Sequence, residues 1–255
     1  MAAIPEINES SLQNQYIKAL FGKNIKLIVM DFKCMIRNID FIFKDSINKI
    51  LTNCKLLDLK NGVYLIQNNE KSMKIIFQNI FGESLYVKAY NEYNEYLIDN
   101  IDQIILIPTI EPIFQYSQKK GFKVAIVSNL NRLFLEKFIE KNKLNSLIDL
   151  IITSEESSTS AFDSTFISPI IGSIDIRPKE DSIIFIGDNI TNINSALQAN
   201  FAPVLYAKPE NSQITEQTIQ LLKDISLDNP IRIIRNEGEL IDLIERSLNF
   251  INGEK

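Results

Sequence analysis

The sequence IKLIVMD, residues 25–31, is an almost unbroken apolar run that ends on an acidic side chain, Asp31. Continuous apolar runs of this length are typical of parallel strands that are buried on both faces of a sheet. Two later runs have the same form and end on polar residues: VAIV at 124–127 before Ser128 and Asn129, and IIFI at 183–186 before Gly187 and Asp188. We therefore predict three parallel strands, each with a polar residue at its carboxyl end.

These three strand ends define a candidate site. Open α/β sheets bind their ligands just outside the carboxyl ends of their strands. Asp31, Ser128 and Asp188 come from separate strands, so we predict that they meet at this edge of the sheet. Two carboxylates and a hydroxyl in one place indicate a binding or catalytic site.

From residue 105 onward, strand patterns alternate with helical patterns. Strands are predicted at 122–127, 147–152, 182–186, 204–206 and 231–234, and helices at 109–118, 134–139, 162–172, 190–197 and 240–248. Such alternation is typical of a doubly wound parallel sheet with helices on both faces. The predicted fold class is therefore α/β.

Residues 36–104 interrupt this alternation, because their apolar side chains recur at helical spacing. We interpret 36–104 as an inserted helical domain and assign residues 1–35 and 105–255 to the α/β core. The insertion also carries a stripe of tyrosines that could line a substrate pocket. Helical spacing favours packing in a small core of the insertion instead.

Composition excludes several kinds of chemistry. The chain of 255 residues contains no histidine, so it cannot form a Ser-His-Asp or Cys-His catalytic group or a helical HExxH zinc site. A formal net charge of −5 predicts no nucleic-acid partner, and no apolar run is long enough to predict a membrane span. The start of the chain does not resemble a signal peptide, and two cysteines make no disulfide framework. We therefore expect a cytoplasmic protein.

The stretch GDNITNINSA, residues 187–196, is followed by NFAPV at 200–204. Together with the strand ends at Asp31 and Ser128, this order resembles the haloacid dehalogenase (HAD) superfamily. The family has a GDxxxD motif there, followed by a helix and a short strand. A helical insertion between the first and second motifs is similar to the family's helical-cap subclass. The resemblance implies a Rossmann-like core with an inserted cap.

The resemblance also implies roles for individual residues. Asp31 matches the nucleophile, which attacks phosphorus and binds Mg²⁺. Ser128 matches the hydroxyl that holds a phosphoryl oxygen, with the amide of Asn129 beside it. Asp188 matches a magnesium-binding carboxylate of the last motif. The implied substrate is a small molecule, phosphorylated in most branches of the family.

Other positions depart from the family's pattern. The first motif is usually DxD, whereas this chain has Asp31-Phe32-Lys33, so a lysine replaces the aspartate that protonates the leaving group. Asn192 replaces the second acid of the last motif and can ligate a metal only through its amide oxygen. The lysine of the third motif, expected near residues 163–164, is missing, since no lysine lies between Lys143 and Lys179.

These departures predict weak Mg²⁺ binding at Asp31, Asp188 and Asn192, because an ammonium group near two carboxylates competes with a cation for them. One compensating hypothesis is that Lys33 takes over the role of the missing third-motif lysine. Lys33 would then be catalytic together with Asp31 and Ser128.

Several functions remain open at this point. The chain is a phosphohydrolase-like protein with weakened activity, or an inactive relative that binds a ligand or a protein partner. A third alternative is a metal-independent hydrolase of the dehalogenase type. A fourth is an unrelated doubly wound binding domain, which would be favoured if Asp31, Ser128 and Asp188 did not converge.

Overall fold

The computed structural model describes residues 24–37, 39–54, 73–154, 174, 181–207, 231–236, 238–240 and 242–243. The helix predicted at 162–172 lies outside these residues, as does most of the helix predicted at 240–248. The described strands are β1 (Asn24–Asp31), β2 (Ile36–Arg37), β3 (Ile105–Leu106), β4 (Lys123–Ser128), β5 (Leu150–Thr153), β6 (Asp181–Gly187), β7 (Ala202–Tyr206) and β8 (Arg232–Ile234). The described helices are α1 (Ile39–Asn53), α2 (Met73–Asp99), α3 (Ile110–Lys119), α4 (Arg132–Lys141) and α5 (Ile190–Gln198).

Six of these strands form one parallel sheet in the order β5-β4-β1-β6-β7-β8. Strand β1 lies in the middle, with β4 on one side and β6 on the other. The chain first builds the sheet outward from β1 through β4 to β5, and then returns to the other side of β1 with β6. The gap between β1 and β6 is therefore the switch point at which open sheets of this kind bind ligands.

Burial on both faces explains the unbroken apolar sequence of β1. Ile28 and Met30 belong to one large apolar cluster, to which α3 and α4 contribute Phe114, Phe134 and Phe138. Leu27 and Val29 face the opposite way and pack in a second cluster, with Ala196 of α5 and with Phe201. Successive residues of a strand point to opposite faces, so only a continuous apolar run can serve both clusters. The predicted α/β doubly wound architecture is confirmed.

One predicted strand begins later than its sequence indicated. The strand expected at 147–152 begins at Leu150, because residues before it form turns in which the Leu147 N–H donates to the Leu144 carbonyl at 2.9 Å. Leu144 and Leu147 are nevertheless buried in the large cluster. Their apolar character therefore reflects burial of a turn and not a strand.

Helices α1 and α2 lie between β1 and β4 in the sequence. The short strands β2 and β3 pair in antiparallel fashion at the two ends of this insertion, with Arg37 opposite Ile105. Tyr90 and Tyr93 are buried, and the ring of Tyr93 lies 5.1 Å from that of Phe77, so these tyrosines pack as core residues. The division into a core and an inserted cap at residues 36–104 remains our proposal, and the β2–β3 pair at its base supports it.

Within the described ranges, we find no helix that combines the length and the apolar character needed to cross a membrane.

Candidate active site

Asp31 is the last residue of β1, and its side chain is only 3% exposed. It caps a short 3₁₀ turn at Phe32–Met35, because its Oδ1 accepts a hydrogen bond from the Lys33 backbone N–H at 2.9 Å. Aspartate is among the residues that favour such a capping position. The strand therefore ends with a carboxylate that is held in a defined orientation at the edge of the sheet.

The turn that follows Asp31 is anchored by its apolar neighbours. Phe32 is fully buried and makes edge-to-face contacts with Phe138 and Phe134 at ring-centroid distances of 5.0 and 5.9 Å. Cys34 is also buried, and its Sγ lies 3.9 Å from the Ile186 carbonyl of the neighbouring strand. Lys33 is only half-buried between these two anchors. The packing therefore holds the backbone of Lys33 next to Asp31 at the edge of the sheet.

Asn192 in α5 makes direct contact with Asp31. Its Nδ2 donates a short hydrogen bond to the Asp31 Oδ2, and the side chain is completely buried. Asn189 holds this part of the helix, because its Oδ1 accepts from the Asn192 N–H at 2.9 Å as a helix cap. Among the described residues, the Oδ1 of Asn192 has no hydrogen-bond partner. The amide therefore presents its nitrogen, and not its oxygen, to the carboxylate.

Gly187 is required for this close approach. A Cβ at this position would lie 2.7 Å from the Cβ of Asn192 and 3.2 Å from the Phe185 ring. Any larger residue would therefore push the start of α5 away from β6. The Gly-Asp dipeptide at the end of β6 reflects this packing as well as the chemistry of the aspartate.

Asp188 is partly exposed, and its Oδ1 accepts a hydrogen bond from the Asn189 side chain at 3.0 Å. Lys33 interacts electrostatically with Asp188 and with Asp31. Burial by itself lowers the pKa of Lys33, but the negative charges of Asp188, Asp31 and Asp40 outweigh it and raise that pKa above its ordinary value. Lys33 is therefore a permanent cation at neutral pH.

Asp40 was missed by the sequence analysis. It lies in the first turn of α1, at the start of the proposed cap. In the sequence, Asp40 is marked only by its closeness to Asp31. This closeness does not distinguish a site residue from an ordinary acidic residue on the surface. The fold brings Asp40 near Lys33, so helix α1 contributes a charge to the electrostatics of the candidate site.

Ser128 lies at the same edge of the sheet, at the end of β4, and is 3% exposed. Strand register places Val127 opposite Asp31, so Ser128 lies one residue beyond the carboxylate on the neighbouring strand. Its Oγ accepts from the Leu130 N–H at 3.2 Å. The adjacent Asn129 is held through its carbonyl, which accepts from the Ser154 Oγ at 3.3 Å. Ser154 is a second residue that the sequence analysis did not single out.

The candidate site thus has a carboxylate at the end of the central strand, a hydroxyl at the end of one neighbouring strand and a second carboxylate just beyond the end of the other. The fold is that of an α/β protein with polar residues at the carboxyl edge of its sheet. The chain matches the family of haloacid dehalogenase-like hydrolases over residues 28–206, and it belongs to that family. The predicted family is thus confirmed, and the unrelated binding domain is excluded.

Similar proteins include several phosphatases. The chain is 26% identical over 145 residues to ribulose-1,5-bisphosphate 5-phosphatase from Halopiger xanaduensis, a match that covers 56% of this chain and 59% of that relative's length. A putative phosphoglycolate phosphatase from Lactobacillus plantarum has the same fold, with a TM-score of 0.62 at 13% identity over 86% of this chain and 99% of that one. A haloacid dehalogenase-like hydrolase from Bacteroides fragilis gives a TM-score of 0.67 at 17% identity over 84% and 99% of the two chains.

Phosphatases of this family generally use Mg²⁺, so the donor set can be compared with what that ion needs. Mg²⁺ is a hard cation that takes oxygen ligands. Across the described ranges, no group of three or more acidic, cysteine or histidine side chains is arranged to hold a metal. The candidate set has two carboxylates, Asp31 and Asp188, together with the ammonium of Lys33. The third candidate ligand, Asn192, points its amide nitrogen at Asp31. Two carboxylates with water can be enough for Mg²⁺, but here the ammonium of Lys33 competes with a cation for both of them, so this set is a poor fit for a divalent cation.

Proposed function

We propose that this protein is a hydrolase with weakened phosphatase activity, which uses Asp31 as a nucleophile toward a small phosphorylated molecule. The observation that carries the proposal is the buried carboxylate of Asp31 at the end of the central strand, beside the cationic Lys33. The named phosphatases among its relatives support the same class of reaction.

In the first step, an Asp31 carboxylate oxygen attacks the phosphorus, and the bond from phosphorus to the leaving oxygen breaks. The product is an acyl phosphate on Asp31, and the electron pair of the broken bond stays on the leaving oxygen. The ammonium of Lys33 neutralises the phosphoryl oxygens. In our proposal the Ser128 hydroxyl and the Asn129 N–H each donate a hydrogen bond to one of these oxygens, while Ser128 Oγ continues to accept from the Leu130 N–H.

The second step is attack of water on the acyl phosphate. It releases inorganic phosphate and restores the carboxylate of Asp31, while the alcohol formed in the first step carries a proton taken from water. No step of this mechanism passes through a metal ion, because the Lys33 ammonium competes with a cation for Asp31 and Asp188.

The activity is expected to be low because no side chain of the first motif can readily protonate the leaving oxygen. Lys33 stands where the family has an aspartate acid, and its raised pKa makes its ammonium a poor proton donor near neutral pH. General acid catalysis typically contributes about 10²–10⁴-fold to a rate. We therefore expect the hydrolysis rate of this protein to be lower than that of an intact phosphatase by a factor of about this size.

A second candidate function is ligand binding without turnover. Both oxygens of Asp31 accept hydrogen bonds, Oδ1 from the Lys33 N–H and Oδ2 from the Asn192 amide. A carboxylate that is held in this way is a weaker nucleophile, because each hydrogen bond stabilises its charged form. The same geometry would bind a phosphorylated ligand or present a folded surface to a protein partner.

Release of inorganic phosphate from acetyl phosphate and from a panel of sugar phosphates separates these functions. We expect slow release by the wild type and none by Asp31→Asn. Asp102→Asn is the matched control, because Asp102 is 87% exposed and lies outside the site. Release that persists in Asp31→Asn would contradict the proposed nucleophile. Stabilisation by phosphate without any release would favour the binding function, and chloride release from 2-chloropropionate would favour the dehalogenase type.

A further inference from the structure

Lys33 is surrounded by negative charge on more than one side. The carboxylates of Asp188 and Asp31 act on it from the ends of two neighbouring strands, and Asp40 acts on it from the inserted helix α1. The backbone N–H of the same residue donates to Asp31 Oδ1 at 2.9 Å. Lys33 therefore offsets one of these three negative charges and competes with a cation for all three carboxylates.

The orientation of Asn192 agrees with this charge balance. When a metal ion lies between a carboxylate and an amide, both groups turn an oxygen toward it. Here the Nδ2 of Asn192 donates to Asp31 Oδ2, and among the described residues the Oδ1 of Asn192 has no partner. Rotating the amide would place two acceptor oxygens against each other, which is unfavourable unless a cation separates them.

We infer that the Lys33 ammonium replaces the divalent cation in this site, so that a phosphoryl group binds beside Asp31 without a metal. The inference takes from the proposed function only the class of ligand, a phosphorylated molecule. It does not require that the ligand is hydrolysed. It also explains how the site tolerates the missing third-motif lysine and the change to asparagine at position 192. With Lys33 as a built-in cation, additional negative charge at Asn192 is not needed.

The test is a pair of titrations on the purified full chain. Mn²⁺ binding is followed by the electron paramagnetic resonance signal of the free ion, and inorganic phosphate binding is measured by calorimetry in the presence of EDTA. We expect the wild type to bind phosphate in EDTA and to bind no Mn²⁺ at this site. The Lys33→Asp/Asn192→Asp variant is expected to bind Mn²⁺ at least about tenfold more tightly than the detection limit that the wild type sets, because the site becomes more negative by three charge units, two at Lys33 and one at Asn192.

Lys33→Arg is the matched control, because it keeps the positive charge and should gain no Mn²⁺ affinity. Thermal unfolding shows whether the double variant folds. If it does not fold, Lys33→Ser is used in its place for the Mn²⁺ titration. Stoichiometric Mn²⁺ binding by the wild type that Asp188→Asn abolishes would overturn the inference. So would a wild type that binds phosphate only when metal is present, or a Lys33→Ser variant that gains no Mn²⁺ affinity. Phosphate binding in EDTA without phosphate release would support the inference while contradicting the proposed turnover.

Discussion

Strand β1 and the turn that follows it differ in how closely they keep to the family's pattern. The strand residues from Leu27 to Met30 are completely buried or nearly so, and they pack into the apolar clusters on the two faces of the sheet. Two residues beyond the end of the strand, Lys33 stands where the resemblance to the family predicts an acid. The comparison suggests that burial constrains the strand more strongly than the turn at its edge. Substitutions in the two regions test how far stability and ligand binding are separate.

We expect the largest effect on stability from a substitution in the apolar packing between the helices and the sheet. Phe138 of α4 is fully buried and packs edge-to-face against Phe32. We expect Phe138→Ala to lower the free energy of unfolding by about 3–5 kcal/mol, because it removes a large apolar side chain and leaves a cavity. Chemical denaturation monitored by circular dichroism measures this change.

Leu133→Ala in the same helix is the control, because Leu133 is 52% exposed. Its free energy of unfolding should stay within about 0.5 kcal/mol of the wild type. Equal losses in the two variants would contradict burial of Phe138 as the cause, since alanine raises the helix propensity at both positions.

Gly187 affects both the packing of the fold and the candidate site, because it lies against Asn192. Gly187→Ala would place a Cβ against Asn192, and we expect it to lower the free energy of unfolding by about 1–3 kcal/mol. The displaced Asn192 should also weaken phosphate binding. The measurements are chemical denaturation and calorimetric titration with inorganic phosphate.

The double variant Gly187→Ala/Asn192→Gly tests the cause, because it removes the Cβ that the new alanine would meet. It should recover part of the lost stability, less about 1 kcal/mol for glycine within a helix. If the two changes are simply additive, the contact between Gly187 and Asn192 is not the reason for the loss.

The inserted helices contain a buried polar atom without an evident role. Tyr93 is almost completely buried, and its hydroxyl has no hydrogen-bond partner in the described part of the chain. We expect Tyr93→Phe to raise the free energy of unfolding by about 1 kcal/mol at neutral pH, because an unsatisfied buried hydroxyl is removed. Tyr96→Phe is the contrasting variant, since it removes a hydrogen bond to Asp45 and should destabilise slightly.

The same tyrosine predicts a pH dependence. Burial, and to a lesser extent the neighbouring Tyr90, raise the pKa of Tyr93 well above its ordinary value of 10.0. The unfolded chain therefore loses this proton at a lower pH than the folded protein. Stability from this group is fully present below pH 10 and is lost as the pH rises above it toward the folded pKa. Tyr93→Phe should show a smaller decline than the wild type in denaturation series above pH 10.

The smallest effects are expected at the edge of the sheet. Ser154→Ala removes the hydrogen bond to the Asn129 carbonyl, and we expect a loss of about 0.5–1.5 kcal/mol in the free energy of unfolding. Thr153→Val is the matched control, because the buried Thr153 hydroxyl has no partner among the described residues. Its stability should be unchanged or higher, and a clear loss would indicate that this hydroxyl is used in the fold.

Much of the fold was predictable because the relevant signals are local. The runs at 25–31, 124–127 and 183–186 identified the central strands, since a strand that is buried on both faces needs an uninterrupted apolar sequence. Leu147 shows the limit of this reasoning, because a buried turn has the same composition as a short strand. The roles of the site residues and the boundaries of the cap remain predictions.

The sequence by itself determined the fold class, the family and the edge of the sheet at which polar residues gather, because apolar runs and the residues that end them are readable along the chain. It also showed that Lys33 and Asn192 depart from the family's pattern. Only the tertiary structure decided that the Asn192 amide turns its nitrogen to Asp31, and that Asp40 of the insertion adds to the charge around Lys33. The physical reason is that Asn192 and Asp31 lie 161 residues apart in the chain. Asp40 is near Lys33 in sequence, but the strength of its charge interaction depends on distance and burial, which the sequence does not give.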